Sequence, residues 1–103
     1  MYVVVSYDIP DDKRRTKVMK TLKNFGAHVQ YSVFECDLDP TDFKRLYKRL
    51  KKLVKPDQDD VRFYFLCENC MRKIRRLGHR KGPVERPTGP IFIGRQPTNQ
   101  QTN

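Results

Sequence analysis

The sequence predicts an α+β fold in which two helices cover one face of an antiparallel sheet. Short stretches of β-branched and aromatic residues have the pattern of strands. Two longer stretches repeat their apolar residues at three- and four-residue spacing, as helices do. In chain order these stretches read β-α-β-β-α-β, which is the order of a split βαβ, ferredoxin-like domain. A length of 103 residues fits one such domain.

The first strand is predicted over residues 2–8, where three consecutive valines interrupt any alternation. A strand that is apolar on both sides indicates a central position with both faces covered. Asp11 or Asp12 then caps a helix. This helix is predicted to extend to about Phe25, with Gly26 as its stop.

The middle of the chain predicts two further strands and a second helix. Residues 27–38 are rich in strand-forming residues and alternate apolar with acidic side chains near their end, which predicts a short strand and a longer one. Asp39 is a good N-cap, and Pro40 suits the first helical position. The apolar residues that follow recur at helical spacing until Pro56 ends the helix.

The C-terminal third predicts a fourth strand at 61–67, a short basic helix at about 69–77 and a short apolar strand, IFI, at 91–93. The domain is therefore predicted to span residues 1–93. Residues 94–103 show no packing signal and are predicted to form a disordered tail.

The predicted sheet has one face without helices. Apolar side chains such as Tyr2 and Tyr64 cannot all lie under two helices, so we expect this face to form the interface of a homodimer. The strand at 91–93 has no obvious neighbour within its own domain. We expect it to pair with a sheet edge elsewhere, including that of a partner chain.

The charge of the chain favours a polyanionic partner. Lys and Arg number 22 against 12 Asp and Glu, which gives a net charge of +10, and the isoelectric point is near 9.8. A single basic block is adequately explained as the solvated face of a helix. This chain has three such blocks, within residues 13–23, 44–55 and 72–81, and that number favours nucleic acid.

Neither membrane insertion nor secretion is predicted. No stretch approaches the roughly 18 apolar residues of a membrane-spanning helix. The N-terminal apolar run is too short for a signal peptide and has no basic residue before it. We therefore expect a cytoplasmic protein without a membrane partner.

The three cysteines do not predict a disulfide framework. Cys67 and Cys70 form a C-x-x-C pair, and Cys36 stands alone. Because a structural zinc site needs four ligands, the favoured interpretation places Cys36 and Cys67 as small buried residues on strands. A disulfide between Cys67 and Cys70, or a metal site shared across a dimer, stays open.

Two local stretches are more specific than the order of elements. The segments VVSYDIPDDKRRTKV and VQYSVFECDL together resemble the small CRISPR-associated endoribonuclease family, the non-integrase subunit of the spacer-acquisition complex. The resemblance implies a homodimer of ferredoxin-like domains packed sheet to sheet, with each C-terminal strand extending the partner's sheet. It also implies a magnesium ion between two copies of Asp8, nuclease activity on single-stranded RNA or double-stranded DNA, and a CRISPR integrase subunit as partner.

Asp8, at the end of the central strand, is the candidate catalytic residue and metal ligand. Magnesium prefers hard oxygen ligands, and two copies of Asp8 across a dimer axis would supply two carboxylates. Without the resemblance, an equally good interpretation is that Asp8 turns the chain before Pro10. Tyr7 is predicted to be a packing residue whose hydroxyl lies near the site, and Ser32 is a candidate second ligand or phosphate contact.

The candidate contacts to nucleic acid are basic residues on the two predicted helices, where they can reach phosphates. They are Arg14, Arg15, Lys17, Arg45 and Arg49. Arg14 and Arg15 fall where the resembled family carries basic helix residues.

Three functions compete at this point. The first is a magnesium-dependent endonuclease, and the second is a non-catalytic DNA-binding scaffold that holds the integrase. The third is an RNA-recognition module that binds through aromatic side chains on the sheet. The stretch VRFYFL has such aromatics but lacks the glycines of the RNP pattern, so the third function ranks last.

Overall fold

A computed structural model describes residues 1–78 of the chain and confirms the predicted order of elements. The elements are β1 (Tyr2–Asp8), α1 (Asp12–Lys23), β2 (Ala27–Gln30), β3 (Val33–Asp37), α2 (Pro40–Leu53), β4 (Asp60–Leu66) and α3 (Glu68–Met71). The predicted strand at 91–93 and the predicted tail lie outside the described residues. No helix within the described part of the chain is long and apolar enough to cross a bilayer.

The four strands form one antiparallel sheet in the order β2-β3-β1-β4, with β1 in the centre as predicted. Both helices pack on the same face. From β1, Val3, Val5 and Tyr7 enter the core. They meet the buried residues of the helices, which are Val18, Leu22, Leu46 and Leu50. This packing gives the ferredoxin-like architecture.

The two helices run in opposite directions across the sheet. Helix α1 begins just after the end of β1, whereas α2 begins after the end of β3, which pairs with the start of β1. The N-terminus of α1 and the C-terminus of α2 therefore lie at the same end of the sheet as Asp8.

The other sheet face, which we call the free face, carries the alternate residues of β1. Val4 and Ser6 are half-buried, and Asp8 is exposed. Tyr64 lies opposite Val4 on β4 and has 48% of its surface exposed, as the sequence predicts. These side chains are available to a second copy of the chain.

Tyr2 also lies on the free face, but it is covered there, contrary to the prediction. Only 6% of it is exposed, and its hydroxyl donates a hydrogen bond to the Glu35 carboxylate. Burial raises the pKa of both groups. Met71, from α3, is also buried but lies outside the main core, and the Arg76 charge acts on Glu35. The chain after β4 therefore returns near the Tyr2 end of the free face.

Gly26 has a different role from the predicted left-handed helix stop. Helix α1 ends two residues earlier, because Asn24 is its C-cap in a right-handed conformation, and Gly26 does not have a positive φ. A β-carbon at Gly26 would lie 2.4 Å from the Cys36 Sγ and 2.5 Å from the Glu35 carbonyl oxygen. Gly26 is thus required because the chain passes against the backbone of β3.

We expect Gly26→Ala to lower the free energy of unfolding by about 1–3 kcal/mol, because the added methyl group overlaps a strand backbone that cannot move freely. Urea denaturation followed by circular dichroism measures this change. Lys23→Ala, on the exposed last turn of α1, is the control and should stay within about 0.5 kcal/mol of the parent. Equal stability of the two variants would contradict the close packing of Gly26.

Two predictions after β4 are wrong. Helix α3 spans four residues rather than about nine, because four of the five residues from 72 to 76 are Lys or Arg and like charges at helical spacing repel. Cys67 is exposed rather than buried, since β4 ends at Leu66 and Cys67 instead caps α3. Cys36 is buried, as predicted.

Candidate metal and nucleic-acid site

Asp8 is the last residue of β1 and lies exposed on the free face. Its cross-strand neighbour on β4 is Asp60, so two carboxylates stand opposite each other at this margin of the sheet. Like charges at paired positions repel. Only the Asp60 charge is compensated by a neighbouring cation, because Asp60 forms an ion pair with Arg62 at 2.8 Å.

Four other carboxylates near this end of the sheet have partners within residues 1–78, whereas Asp57, exposed in the loop before β4, has none there. The pairs are the Arg14 backbone N–H with Asp11, Arg15 with Asp12, Arg14 with Asp59 and Arg62 with Asp60. The Asp8 carboxylate, like that of Asp57, makes no hydrogen bond and no ion pair within the described part of the chain. An exposed carboxylate without a protein partner keeps its oxygens available for a cation.

One chain alone provides few ligands at this place. The described residues contain no cluster of three or more His, Cys, Asp or Glu that could hold a metal ion. The donor type nevertheless fits magnesium, which binds carboxylate oxygens and retains several waters. The Asp8 carboxylate therefore fits magnesium as a ligand, but a complete site would need ligands from outside the described residues of one chain.

The structure brings Ser32 and Tyr7 together beside Asp8, but through the backbone. The Tyr7 N–H donates to the Ser32 carbonyl at 3.0 Å, which holds the β2–β3 turn against the end of β1. The Tyr7 side chain points into the core, and its hydroxyl donates to the Tyr31 carbonyl at 3.4 Å. Tyr7 is thus a packing residue, as predicted, and since adjacent strand residues face opposite sides, its side chain lies on the opposite face of β1 from Asp8. A contact from the Ser32 side chain stays a prediction.

Arg45 and Arg49 lie on the side of α2 that faces the end of α1. Their guanidinium carbons stand 5.6 and 5.5 Å from the centre of the Phe25 ring, within the range of a cation–π contact. Arg45 also forms an ion pair with Asp42 at 2.9 Å. Both side chains are thus held in place while their residues stay exposed, which suits groups that contact a phosphate backbone.

Lys17 and Arg15 occupy the first two turns of α1. The Lys17 side chain is exposed and makes no hydrogen bond or ion pair in the described part of the chain. Arg15 pairs with Asp12 and donates to the Ile9 carbonyl at 3.0 Å. Lys17 is therefore freely available for a phosphate, whereas Arg15 is oriented by its contacts at the N-terminus of α1.

Arg14 has a structural role that its sequence position does not reveal. Its Nε and Nη2 donate to the two carboxylate oxygens of Asp59 at 2.8 and 2.9 Å. The Asp59 side chain is fully buried, and 14% of the Arg14 side chain is exposed. This bidentate pair joins α1 to the loop before β4 and directs the Arg14 guanidinium toward the protein rather than toward a ligand.

The Arg14–Asp59 pair predicts a pH-dependent stability. Hydrogen bonds from Arg14 hold the pKa of Asp59 below its usual value. A lowered carboxyl pKa contributes stability above the unfolded value near 4, and this contribution disappears as the pH falls through the lowered pKa. We expect Asp59→Asn to lower the melting temperature by several degrees at pH 7. Below about pH 4 the difference in melting temperature between the variant and the parent should become progressively smaller.

Thermal melts of the parent and Asp59→Asn between pH 7 and pH 2.5 provide the measurement. Asp57→Asn is the matched control, because Asp57 is exposed in the same loop. A difference between parent and Asp59→Asn that did not change with pH would show that the ion pair is not its cause.

Comparison with known proteins decides the family. The model of the family described as CRISPR associated protein Cas2 matches residues 1–74, which include Asp8 and every basic candidate. The chain belongs to the Cas2 family. The resemblance inferred from the YDI and QYSVFE segments is thereby confirmed.

Individual relatives and solved structures agree with this assignment. CRISPR-associated endoribonuclease Cas2 3 of Synechocystis is 40% identical over 90 residues, which cover 87% of this chain and 96% of the relative. The crystal structure of Streptococcus pyogenes Cas2 superposes with a TM-score of 0.68 at 36% identity, covering 76% of this chain and all of that one. A hypothetical protein from Thermus thermophilus superposes with a TM-score of 0.70 at 39% identity, covering 78% and 93%.

Asp59 and Asp60 are the residues of this region that sequence reasoning missed. Both lie in the loop and strand start after α2, about fifty positions from Asp8 in the chain. Their proximity depends on the β1–β4 register and on the end of α2, which no local pattern reports. The acidic DQDD run that contains them is typical of a solvated loop.

Proposed function

We propose that the chain is a magnesium-dependent endonuclease of CRISPR adaptation that acts as a homodimer. The single observation that carries this proposal is Asp8, an exposed carboxylate without a partner in the described residues, at the margin of a free sheet face. Relatives named endoribonucleases support phosphodiester cleavage as the reaction.

The free face supports the dimer. Val4 and Ser6 are half-buried and Tyr64 is about half exposed, so a second sheet packed here would remove apolar surface from water. Because Asp8 lies on this same face, a two-fold axis near the end of β1 would bring two copies of it together. The metal site and the dimer interface are therefore one feature.

The protein's own groups have separable tasks in this mechanism. Two Asp8 carboxylates provide anionic oxygens that hold a divalent cation. When bound, magnesium supplies charge neutralisation at the scissile phosphate and a more acidic water. Arg45, Arg49 and Lys17 hold phosphates of the nucleic acid on the helical face, away from the scissile phosphate, and Arg15 adds positive charge beside the first turn of α1. The cations position the backbone without reading its sequence.

The substrate class follows from the same groups. Phosphate contacts from exposed Lys and Arg do not distinguish strands or bases, so we propose that both single-stranded RNA and double-stranded DNA bind. An integrase subunit is the proposed protein partner, with this homodimer as the central DNA-binding component of the complex. The alternative function is a non-catalytic scaffold of that complex, which would need the basic residues and the dimer but not the Asp8 carboxylate.

The test is a cleavage assay on metal-stripped protein with and without added magnesium, on single-stranded RNA and double-stranded DNA. Binding of the same substrates and the molar mass in solution are measured on the same samples. We expect a dimer that binds both substrates and cleaves at least one of them only with magnesium. If a dimer bound the substrates tightly but cleaved neither, the scaffold function would replace the nuclease function. If the protein were a monomer in solution, a metal site shared by two copies of Asp8 would be overturned.

A further inference from the structure

The C-x-x-C pair is a feature that the nuclease function does not use. Cys67 and Cys70 are both exposed, and the Cys70 backbone N–H donates to the Cys67 Sγ at 3.4 Å. They are therefore adjacent in space, on the surface, and accessible to a small reagent.

We propose that Cys67 and Cys70 form a reversible dithiol–disulfide couple, in which Cys67 is the attacking thiol and Cys70 the resolving thiol. Cys67 is the N-cap of α3, and its Sγ accepts the Cys70 backbone N–H at 3.4 Å, so closing the bond needs a local adjustment within the first turn of this helix. The oxidant is a low-molecular-weight disulfide. Transient disulfides of this kind in reducing compartments are usually catalytic or redox-sensing.

The electrostatics assign different roles to the two thiols. Hydrogen bonds from the Cys70 backbone and then from its side chain lower the pKa of Cys67. The hydrogen bond with Cys67 raises the pKa of Cys70. Since the thiolate is the nucleophile, Cys67 is the thiol that reacts first.

Cys36 provides an internal contrast. It is buried, and burial raises its pKa to about 11. A buried thiol without thiolate character is inert toward exchange. The chain therefore contains one reactive pair and one unreactive cysteine that reports any loss of structure.

The exchange balances as two substitutions at sulfur. The Cys67 thiolate attacks one sulfur of the small disulfide, forms a mixed disulfide and releases one thiolate. Cys70 then gives its proton to solvent and attacks the Cys67 sulfur, which forms the protein disulfide and releases the second thiolate. Two electrons pass from the protein to the small disulfide. The two protons lost by the protein are taken up by the two thiolates that the small disulfide releases.

A metal site at the same pair is disfavoured by the ligand count. A structural zinc needs four ligands, and within residues 1–78 no group of three possible ligands surrounds these cysteines. The exposed pair therefore fits a disulfide better than a metal.

The test uses the full chain and oxidised glutathione, followed by intact mass spectrometry. We expect the parent to lose two hydrogens, to retain no glutathione and to recover its mass with dithiothreitol. Cys70→Ser should retain one glutathione on Cys67. Cys67→Ser should react roughly three- to tenfold more slowly than Cys70→Ser, because its remaining exposed thiol has less thiolate.

Serine at position 67 preserves an N-cap acceptor for α3, and serine at the exposed position 70 is close to cysteine in size, so both variants should fold. Cys36 should stay unmodified throughout, which checks that the fold is intact. Equal rates for the two serine variants, or glutathione retained on the parent without ring closure, would overturn the proposal. A zinc ion that is carried by the purified parent and lost in either variant would also overturn it, in favour of a metal site.

Discussion

Asp8→Asn is expected to lower magnesium-dependent cleavage more than about a hundredfold, because loss of a metal ligand costs at least as much as loss of a group that orients one. Asparagine keeps the size of the side chain and one oxygen but removes the negative charge that would hold the cation. Nucleic-acid affinity should change by less than about threefold, since the phosphate contacts come from the helices on the opposite face. Cleavage and binding are measured on the same metal-loaded samples.

Asp60→Asn is the matched control for Asp8. Asp60 lies directly opposite on the same face of the sheet but is already paired with Arg62. Its loss should reduce cleavage by less than about tenfold. Added magnesium should raise the melting temperature of the parent and of Asp60→Asn, because a ligand that binds only the folded state stabilises it. If Asp8→Asn cleaved normally, or if magnesium stabilised it as much as the parent, Asp8 would not be the metal ligand.

Replacing Arg45 and Arg49 together by glutamine should weaken DNA binding about thirtyfold at 0.15 M salt. Each phosphate contact adds about 0.9 to the slope of log affinity against log salt, which corresponds to about fivefold in affinity at that concentration. The slope should accordingly fall by about 1.8. Titrations of a double-stranded DNA at four salt concentrations measure both quantities.

A double variant of Lys44 and Lys51 is the control for the double variant of Arg45 and Arg49, because it removes the same charge. Lys44 and Lys51 lie on α2 but project away from the side where Arg45 and Arg49 approach Phe25. Replacing them by glutamine removes the same two charges. If the two double variants lost the same affinity and slope, binding would depend on net charge and not on the seam between α1 and α2.

The order of the elements was predictable because their signals are local. Helix α2 has a capping aspartate, an early proline and an uninterrupted apolar stripe, and the structure places it at Pro40–Leu53. The central position of β1 follows from three consecutive valines, two of which are fully buried in the core beneath the helices. Asp8 was identified from its place at the end of this strand and from the family resemblance.

The failures concern contacts between residues that are distant in the chain. Arg14 resembles any other basic residue of α1 until Asp59 is placed beside it, 45 positions later. Tyr2 is predicted to be uncovered because nothing in its own strand shows that Glu35 accepts a hydrogen bond from its hydroxyl. Cys67 continues the alternation of β4, so its pattern gave no reason to end the strand one residue earlier.

The central position of β1 also constrains how the chain folds during its synthesis. The first strand to be made pairs with β3 and then with β4, in a register that runs from Tyr2 opposite Leu66 to Asp8 opposite Asp60. Protein synthesis adds about 5–20 residues per second, so several seconds pass between the synthesis of β1 and that of β4, its last neighbour. During that interval its edge toward β4 has no partner, and unpaired strand edges are prone to associate with other chains, so the central strand is protected on both sides only once β4 has been made.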